Sequence, residues 1–191
     1  MSRKIYFKHG VMGSAKSLDL IRAEYNYRER GMGTLVFVPE IGTRCGGQVL
    51  SRVGLAVPAS IVSETDDFYE MIRKIVEIDN RDIKAVFIDE AHFFTVEQID
   101  QLTEVADKLD IPVLCYGLRT DFRNKLFPSS ARLMEVADSI EEIKAMCECG
   151  RKSTYNARFI DGKPVKSGEQ FMVGDEQYKS FCRSCYKNLF R

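Results

Sequence analysis

The sequence predicts an α/β protein with a mainly parallel sheet covered by helices on both faces, followed by a small cysteine-rich module. Short apolar segments alternate with amphipathic segments over residues 1–140, as in parallel sheets whose strands are linked by helices. From residue 141 onward the apolar segments shorten and two close pairs of cysteines appear. We therefore expect two domains, residues 1–140 and residues 141–191, and call the second one the cysteine module.

Five segments are predicted to be the strands of the sheet. They are short, rich in Val, Ile and Phe, and mostly without alternation, as expected of strands that are buried on both faces. They cover residues 4–8, 34–38, 59–63, 84–90 and 111–117.

Three amphipathic segments are predicted to be helices between these strands. The first runs from Ser17 to Arg30 and ends at Gly31, a residue type that often terminates helices. The second covers residues 67–79, where apolar residues recur at the three- and four-residue spacing of a helix. The third opens at Thr95, and Gln98 three residues later predicts a capping box.

Length and composition exclude several classes of protein. A chain of 191 residues holds one domain and a small appendage, whereas a helicase motor needs two nucleotide-binding domains. Lys and Arg together number 28, as do Asp and Glu, so the basic excess of a nucleic-acid groove is missing. No segment predicts a membrane span or a signal peptide. We expect a cytoplasmic protein that binds neither a membrane nor a nucleic-acid polymer.

An octapeptide between the first strand and the first helix is close to the phosphate-loop pattern G-x-x-x-x-G-K-[ST]. Its backbone N–H groups can surround a phosphate, Lys16 can reach the β and γ phosphates, and the Ser17 hydroxyl can bind Mg²⁺. Ala15 replaces the second glycine, and its Cβ is tolerated if φ is negative. The alternative is a tight turn with a surface lysine. The octapeptide consists of Gly10, Val11, Met12, Gly13, Ser14, Ala15, Lys16 and Ser17.

An acidic pair, Asp89 and Glu90, ends the fourth predicted strand. In phosphate-loop enzymes a carboxylate at this place contacts Mg²⁺, so Asp89 is a candidate magnesium ligand. Glu90, one residue further, is a candidate general base for a substrate hydroxyl. The pair also begins a D-E-A-H sequence that is typical of helicases, and solvated carboxylates at a strand end are a further alternative. Together with the octapeptide, the pair predicts a P-loop NTPase-like domain that binds ATP with Mg²⁺.

Four cysteines in the cysteine module have a spacing that is typical of metal sites. The pairs Cys147-x-Cys149 and Cys182-x-x-Cys185 supply four thiolates, the ligand set of tetrahedral structural zinc. The first pair is one residue closer than is usual, and four reduced thiols near a small hairpin are the alternative. Asp161-Gly162 predicts the turn of that hairpin. We expect a zinc-ribbon or lasso domain that is stabilised by Zn²⁺.

The order of these motifs over nearly the whole chain resembles the type II thymidine kinases, which include the human cytosolic enzyme and many bacterial ones. The stretches YNYRERGMGTLVFVPEIGTR, VFIDEAHFFT, KLDIPVLCYGLRTDFRNKLF and YKSFCRSCYK are similar to bacterial members in particular. The resemblance implies transfer of the γ-phosphoryl group of ATP to the 5′-hydroxyl of thymidine or deoxyuridine, in deoxynucleotide salvage for DNA synthesis. It also implies a homotetramer that thymidine triphosphate inhibits by feedback.

The resemblance also implies roles for individual residues. Glu90 matches the proton acceptor and Arg44 an arginine near the phosphates, both catalytic. Residues 10–17 match the ATP loop, and Asp89, Glu90, Ala91 and His92 extend the ATP site, with Ser17 and Asp89 at Mg²⁺. Composition alone would place the aromatic residues of the pocket in the core. The thymidine pocket would consist of Met12, Phe93, Leu118, Phe122, Phe127, Asn156, Phe171 and Tyr178.

Some residues depart from the family pattern. Ala15 replaces a glycine, Gly42 stands where the family often has Asp, and His92 replaces the usual Gln. Because a histidine can change charge near pH 6.5, we expect activity to fall toward acid more steeply than titration of Glu90 alone would give.

Two other functions stay open: a phosphate-loop NTPase that acts on nucleic acid through a zinc ribbon, and a nucleotide sensor without catalysis.

Overall fold

Six parallel strands form the central sheet of this computed structural model, which describes residues 4–41, 46–168, 170 and 177–191. In chain order they are β1 (Ile5–His9), β2 (Gly33–Pro39), β5 (Ser60–Val62), β6 (Ile83–Ile88), β7 (Val113–Gly117) and β8 (Ser139–Glu142). Their spatial order is β5-β2-β6-β7-β1-β8, and every neighbouring pair is parallel. The predicted fold class is confirmed.

Strand β8 was not among the predicted strands. Its sequence, Ser-Ile-Glu-Glu, lacks an apolar run because it lies at the edge of the sheet, where only β1 pairs with it. The predicted domain boundary between residues 140 and 141 falls inside this strand, and the division into two domains remains a prediction.

Helices cover both faces of the sheet, as the buried strands require. One face packs against α1 (Lys16–Arg28) and against a hairpin of β3 (Gln48–Leu50) and β4 (Ala56–Pro58). The other face packs against α2 (Phe68–Arg73), α3 (Val96–Lys108) and α4 (Pro128–Val136). The hairpin and α4 were not predicted.

The three predicted helices are present with shorter bounds. Helix α2 ends at Arg73 and continues as a π-helical turn over Lys74–Ile78, within the segment that was predicted as one helix. Helix α3 begins with the predicted capping box, in which Thr95 and Gln98 each accept from the other's backbone N–H. None of the helices in the described part of the chain is long and apolar enough to cross a membrane.

The cysteine module continues with short strands and one helix. Strands β9 (Ala145–Met146) and β10 (Lys152–Ser153) pair with each other, and β11 (Tyr155–Ile160) lies between β12 (Lys163–Val165) and β13 (Tyr178–Phe181). The predicted turn at residues 161–162 joins β11 to β12, with positive φ at both residues. Helix α5 (Arg183–Asn188) follows. The buried centre of the module is small and contains Cys147, Ala157, Phe181, Cys182 and Tyr186.

Candidate active site

The carboxyl ends of β1, β6 and β7 border a cavity of about 390 Å³. Ligands of open parallel sheets bind at this end of the strands. Most of the predicted site residues lie together around this cavity: Met12, Gly13, Ser14, Ala15, Lys16, Ser17, Asp89, Glu90, His92, Phe93, Leu118, Phe122, Phe127, Asn156 and Tyr178.

Three predicted residues, Gly10, Val11 and Ala91, do not line the cavity. Val11 and Ala91 are buried in the protein, and the backbone N–H of Gly10 donates to the carbonyl of Gly117 over 3.2 Å. A Cβ on Gly10 would overlap Oγ of Ser14 and lie 2.6 Å from the carbonyl oxygen of Ile143. Gly10 is therefore required for close packing of the loop. Arg44, Gly42 and Phe171 lie outside the described residues.

The octapeptide 10–17 turns sharply between β1 and α1. Gly13 has φ +76° and Ala15 has φ +64°, so both hold a left-handed backbone. The condition for an unstrained Cβ at residue 15, a negative φ, is not met, because the turn into α1 needs the conformation that glycine adopts without cost. Nζ of the buried Lys16 donates to the carbonyl of Val11 over 3.1 Å, which holds the lysine across the loop.

Ser17 and Asp89 meet where the loop reaches the end of β6. The Ser17 hydroxyl donates to Oδ2 of Asp89 over 3.1 Å. Oδ1 of Asp89 is buried and has no hydrogen-bond partner among the described residues. Burial raises the pKa of Asp89, although a hydrogen bond from the Glu90 backbone, Lys16 and Ser17 act in the opposite direction. A hydroxyl beside a buried, incompletely satisfied carboxylate is a donor set that fits a hard cation such as Mg²⁺.

Glu90 is held in an unusual conformation directly after Asp89. Its backbone is left-handed, with φ 48° and ψ 40°, and its carbonyl accepts from the N–H of Phe93 over 3.0 Å. The side chain is 44% exposed and borders the cavity. Strained backbone of this kind clusters at functional sites. A carboxylate at this place can accept a proton from a substrate hydroxyl.

His92 is buried and neutral. Its Nδ1 accepts a hydrogen bond from the N–H of Leu118 over 3.1 Å, so this nitrogen carries no proton. Burial, with a smaller contribution from Lys16, lowers the pKa of His92 well below 6.5. This environment contradicts titration of His92 near pH 6.5, so we no longer expect the histidine to steepen the acid limb of the activity. Nδ1 lies 3.5 Å from Oε2 of Glu90.

Aromatic side chains form one wall of the cavity, the aromatic wall. The ring centroids of His92 and Phe93 are 4.0 Å apart, and those of His92 and Phe127 are 4.7 Å apart. Phe93 and Phe127 meet edge to face at 6.1 Å. The face of a single ring in such a wall can stack on a planar ligand such as a nucleobase.

Asn156 connects three parts of the site. Its Oδ1 accepts from the N–H of Met12 over 2.9 Å, and its Nδ2 donates to the carbonyl of Thr120 over 3.1 Å. These bonds join β11 of the cysteine module to the octapeptide and to the segment after β7. Asn156 was predicted as a substrate contact, and the structure adds that its amide positions backbone.

The cavity also contains residues that the sequence analysis did not single out. The β3–β4 hairpin contributes residues 48–53, and Asp121 and Gln170 also line the cavity. A Cβ built on Gly13 would lie 3.9 Å from Nη1 of Arg52, so this arginine lies close to the octapeptide. The valine-containing segments on either side of the turn at Gly54 are the signal that could have predicted the hairpin.

The four predicted cysteines converge in the cysteine module. The Sγ atoms of Cys147, Cys149, Cys182 and Cys185 all lie within 4.8 Å of one another, and those of Cys149 and Cys182 are 3.6 Å apart. A tetrahedron with zinc–sulfur bonds of about 2.3 Å has edges of about 3.8 Å, so the cluster fits the ion. The N–H of Cys185 donates to Sγ of Cys182, and hydrogen bonds of this kind lower the pKa of that thiol to about 6.

Together, the α/β fold, the loop at a helix N-terminus and the acidic pair define a phosphoryl-transfer class of enzyme.

A family model described as thymidine kinase matches residues 3–186. Proteins called thymidine kinase match nearly the full chain. The one from Salmonella typhimurium (strain LT2) is 46% identical over 188 residues, 97% of this chain and 91% of that protein. The one from Legionella pneumophila (strain Lens) is 46% identical over 96% of this chain and 89% of that protein. The one from Escherichia coli O157:H7 is 44% identical over 98% and 92%. The chain belongs to the thymidine kinase family, so the predicted resemblance is confirmed, and it is a kinase.

Proposed function

We propose that this enzyme transfers the γ-phosphoryl group of ATP to the 5′-hydroxyl of thymidine, and that it also accepts deoxyuridine. One observation carries the proposal. The loop at residues 10–17, the acidic pair and the aromatic wall all border the same cavity, so a nucleoside on the rings can present its hydroxyl to a bound triphosphate. The names of the relatives support thymidine as the nucleoside.

The phosphate side of the cavity supplies alignment and positive charge, which phosphoryl transfer needs more than covalent help. Backbone N–H groups of the octapeptide would bind the phosphates at the N-terminus of α1, where no side-chain cap occupies the N–H groups within the described part of the chain. Lys16 would exchange its bond to the Val11 carbonyl for a phosphate oxygen. Arg44 and Arg52 would add further cations. Ser17 and Asp89 would hold Mg²⁺, which neutralises phosphate charge when it is bound.

The acceptor side of the cavity supplies the base. Glu90 would orient the 5′-hydroxyl and take its proton as the bond to phosphorus forms. Its partly exposed carboxylate borders the same cavity as the octapeptide and the aromatic wall, which supports this role. The rings of Phe93 and Phe127, with Leu118 and Phe122, would hold the base, and Tyr178 would contact it from the cysteine module.

The cysteine cluster would hold a structural Zn²⁺. Four sulfur ligands leave no open coordination position, so the ion would stabilise the module and take no part in the chemistry.

Inhibition by thymidine triphosphate, assembly into a homotetramer and a cytoplasmic role in deoxynucleotide salvage follow from the family resemblance. Each of these remains a prediction.

Release of ADP from ATP–Mg²⁺ separates the proposal from its alternatives. We expect thymidine to stimulate ADP release and single-stranded DNA to leave it unchanged, because the chain lacks the basic excess of a nucleic-acid groove. Stimulation by single-stranded DNA alone would support a nucleic-acid-dependent NTPase. Binding of nucleotide without stimulation by either compound would support a sensor.

A further inference from the structure

The β7–α4 loop (residues 118–127) lines part of the cavity, and the cysteine module contributes contacts that hold it in place. Leu118, Phe122 and Phe127 come from this loop. The hydroxyl of Tyr186 donates to the carbonyl of Phe122 over 2.8 Å, and Asn156 binds the carbonyl of Thr120. The position of the loop therefore depends on contacts between residues that are far apart in sequence.

Arg158 makes the most deeply buried of these contacts. It is 2% exposed and is the largest fully buried side chain among the described residues. Its guanidinium carbon lies 4.1 Å from the ring centroid of Phe122, within the range of a cation–π contact. Desolvation strengthens such a contact, and the flat guanidinium stacks on a ring as an ammonium group cannot.

The same guanidinium also holds the chain that follows β12. Nη2 of Arg158 donates to the carbonyl of Ser167 over 3.1 Å. Gly168 has φ +118°, and a Cβ there would overlap Nη2 of Arg158. The backbone at Gly168 is therefore shaped to fit the arginine. Two residues further along the chain, Gln170 lines the cavity.

We propose that Arg158 is a positioning residue for nucleoside binding: it fixes the ring of Phe122 and the backbone at residues 167–168 in one arrangement. This inference rests on the proposed function. Arg158 is not among the residues that line the cavity, so it acts through Phe122. The contacts of Arg158 with Phe122 and with residues 167–168 lie on the proposed nucleoside side, so the main effect should be on the nucleoside.

Two variants test the proposal from opposite sides of the contact. Arg158→Lys keeps the charge and removes the planar group, and Arg151→Lys is its control on an exposed arginine of the same module. Gly168→Ala keeps the arginine and pushes against it. Gly162→Ala is the matched control, because Gly162 also has a positive φ, +73°, but has nothing within 4 Å of the added methyl group.

We expect Arg158→Lys and Gly168→Ala to raise the KM for thymidine about tenfold, which corresponds to about 1.4 kcal/mol. The KM for ATP and kcat should stay within about twofold of wild type, because only nucleoside binding is disturbed. Titration calorimetry with thymidine alone should show the same weakening. Both controls should retain the wild-type KM.

Several results would overturn the inference. Equal increases in the KM for thymidine and in the KM for ATP would show general damage to the fold. Variants that match their controls would show that Arg158 does not position Phe122. If Arg158→Lys fails to fold, Gly168→Ala and its control still decide the matter. A wild-type protein that transfers no phosphate to thymidine would instead contradict the proposed function, so the two failures are distinct.

Discussion

Two non-glycine residues of the site hold a left-handed backbone, Ala15 and Glu90. The conformation of Ala15 leads the octapeptide into α1, and Glu90 directly follows Asp89, the proposed magnesium ligand after β6. Both residues therefore carry strain where the reaction would take place. Such strain persists only where the surrounding structure enforces it.

Replacing Ala15 with glycine should stabilise the protein. A left-handed alanine costs about 1–2 kcal/mol, and the greater freedom of glycine in the unfolded chain offsets about 0.5–1 kcal/mol of this. We expect Ala15→Gly to raise the free energy of unfolding by up to about 1 kcal/mol and Tm by about 2–4 °C. Asn80→Gly is the control at another positive φ, and its gain should be smaller because asparagine tolerates this conformation. An unchanged or lower Tm for Ala15→Gly would contradict the strain.

The buried, neutral His92 should affect stability at low pH and leave the acid limb of the activity unchanged. The pKa of His92 is lowered by folding, so the unfolded chain takes up a proton below about pH 6.5 while the folded protein does not. The contribution of the neutral His92 to the free energy of unfolding is therefore fully present above this pH. It decreases below this pH, by up to about 1.4 kcal/mol at one pH unit lower.

The His92→Gln variant tests this account because Gln can also accept the hydrogen bond from Leu118 N–H. Between pH 7.5 and pH 5.5, the Tm of wild type should fall further than that of the variant. The profiles of kcat/KM against pH should run in parallel over the same range. A steeper acid limb in wild type alone would show that His92 gains a proton during turnover.

At the scale of elements, the local signals of the sequence were the most informative. The capping box at Thr95 and Gln98 and the turn at residues 161–162 involve neighbours in the chain, so residue types were sufficient to predict them. Strand β8 was missed because an edge strand can be polar. The sequence shows that Ala15 replaces glycine, but the sign of its φ depends on the packing of the whole loop.

The contacts that assemble the site could not be predicted in the same way. Tyr186 and Phe122 are 64 residues apart, and Asn156 and Met12 are 144 residues apart. Nothing in the local sequence pairs such residues, because the pairing depends on how the cysteine module packs against the sheet. The family resemblance identified the side chains that border the cavity, and the structure identifies the ones that hold these side chains in place.

The cysteine cluster should be coupled to the nucleoside pocket through α5. Tyr186 follows Cys185 directly, so loss of a metal at the four thiols should loosen the bond from its hydroxyl to the Phe122 carbonyl. We expect one zinc ion per chain by atomic emission spectroscopy. Removal with 1,10-phenanthroline under reducing conditions should lower Tm by about 10 °C and weaken thymidine binding in calorimetry.

Variants at the cysteines control this experiment. Cys149→Ser should abolish stoichiometric zinc, whereas Cys115→Ala, which changes a buried cysteine of β7, should retain it. Full zinc content in Cys149→Ser, or unaltered thymidine binding after the metal is removed, would contradict the coupling.

At the scale of the whole molecule, the account is that the sheet, the phosphate loop and the cysteine module together form one cavity for two ligands. The α/β domain supplies the phosphate loop, the acidic pair and most of the aromatic wall. The cysteine module supplies Asn156 and Tyr178 and positions the β7–α4 loop. Phosphoryl transfer would then depend on one residue for proton removal, Glu90.

The most direct test measures phosphate transfer from ATP–Mg²⁺ to a panel of nucleosides with wild-type enzyme and with Glu90→Gln. The account predicts that wild type phosphorylates thymidine and deoxyuridine but not deoxycytidine. It predicts that kcat for Glu90→Gln falls by a factor of about 10²–10⁴ with little change in thymidine binding. Zinc-loaded wild type that transfers phosphate to none of these nucleosides, or a Glu90→Gln variant with wild-type kcat, would contradict it.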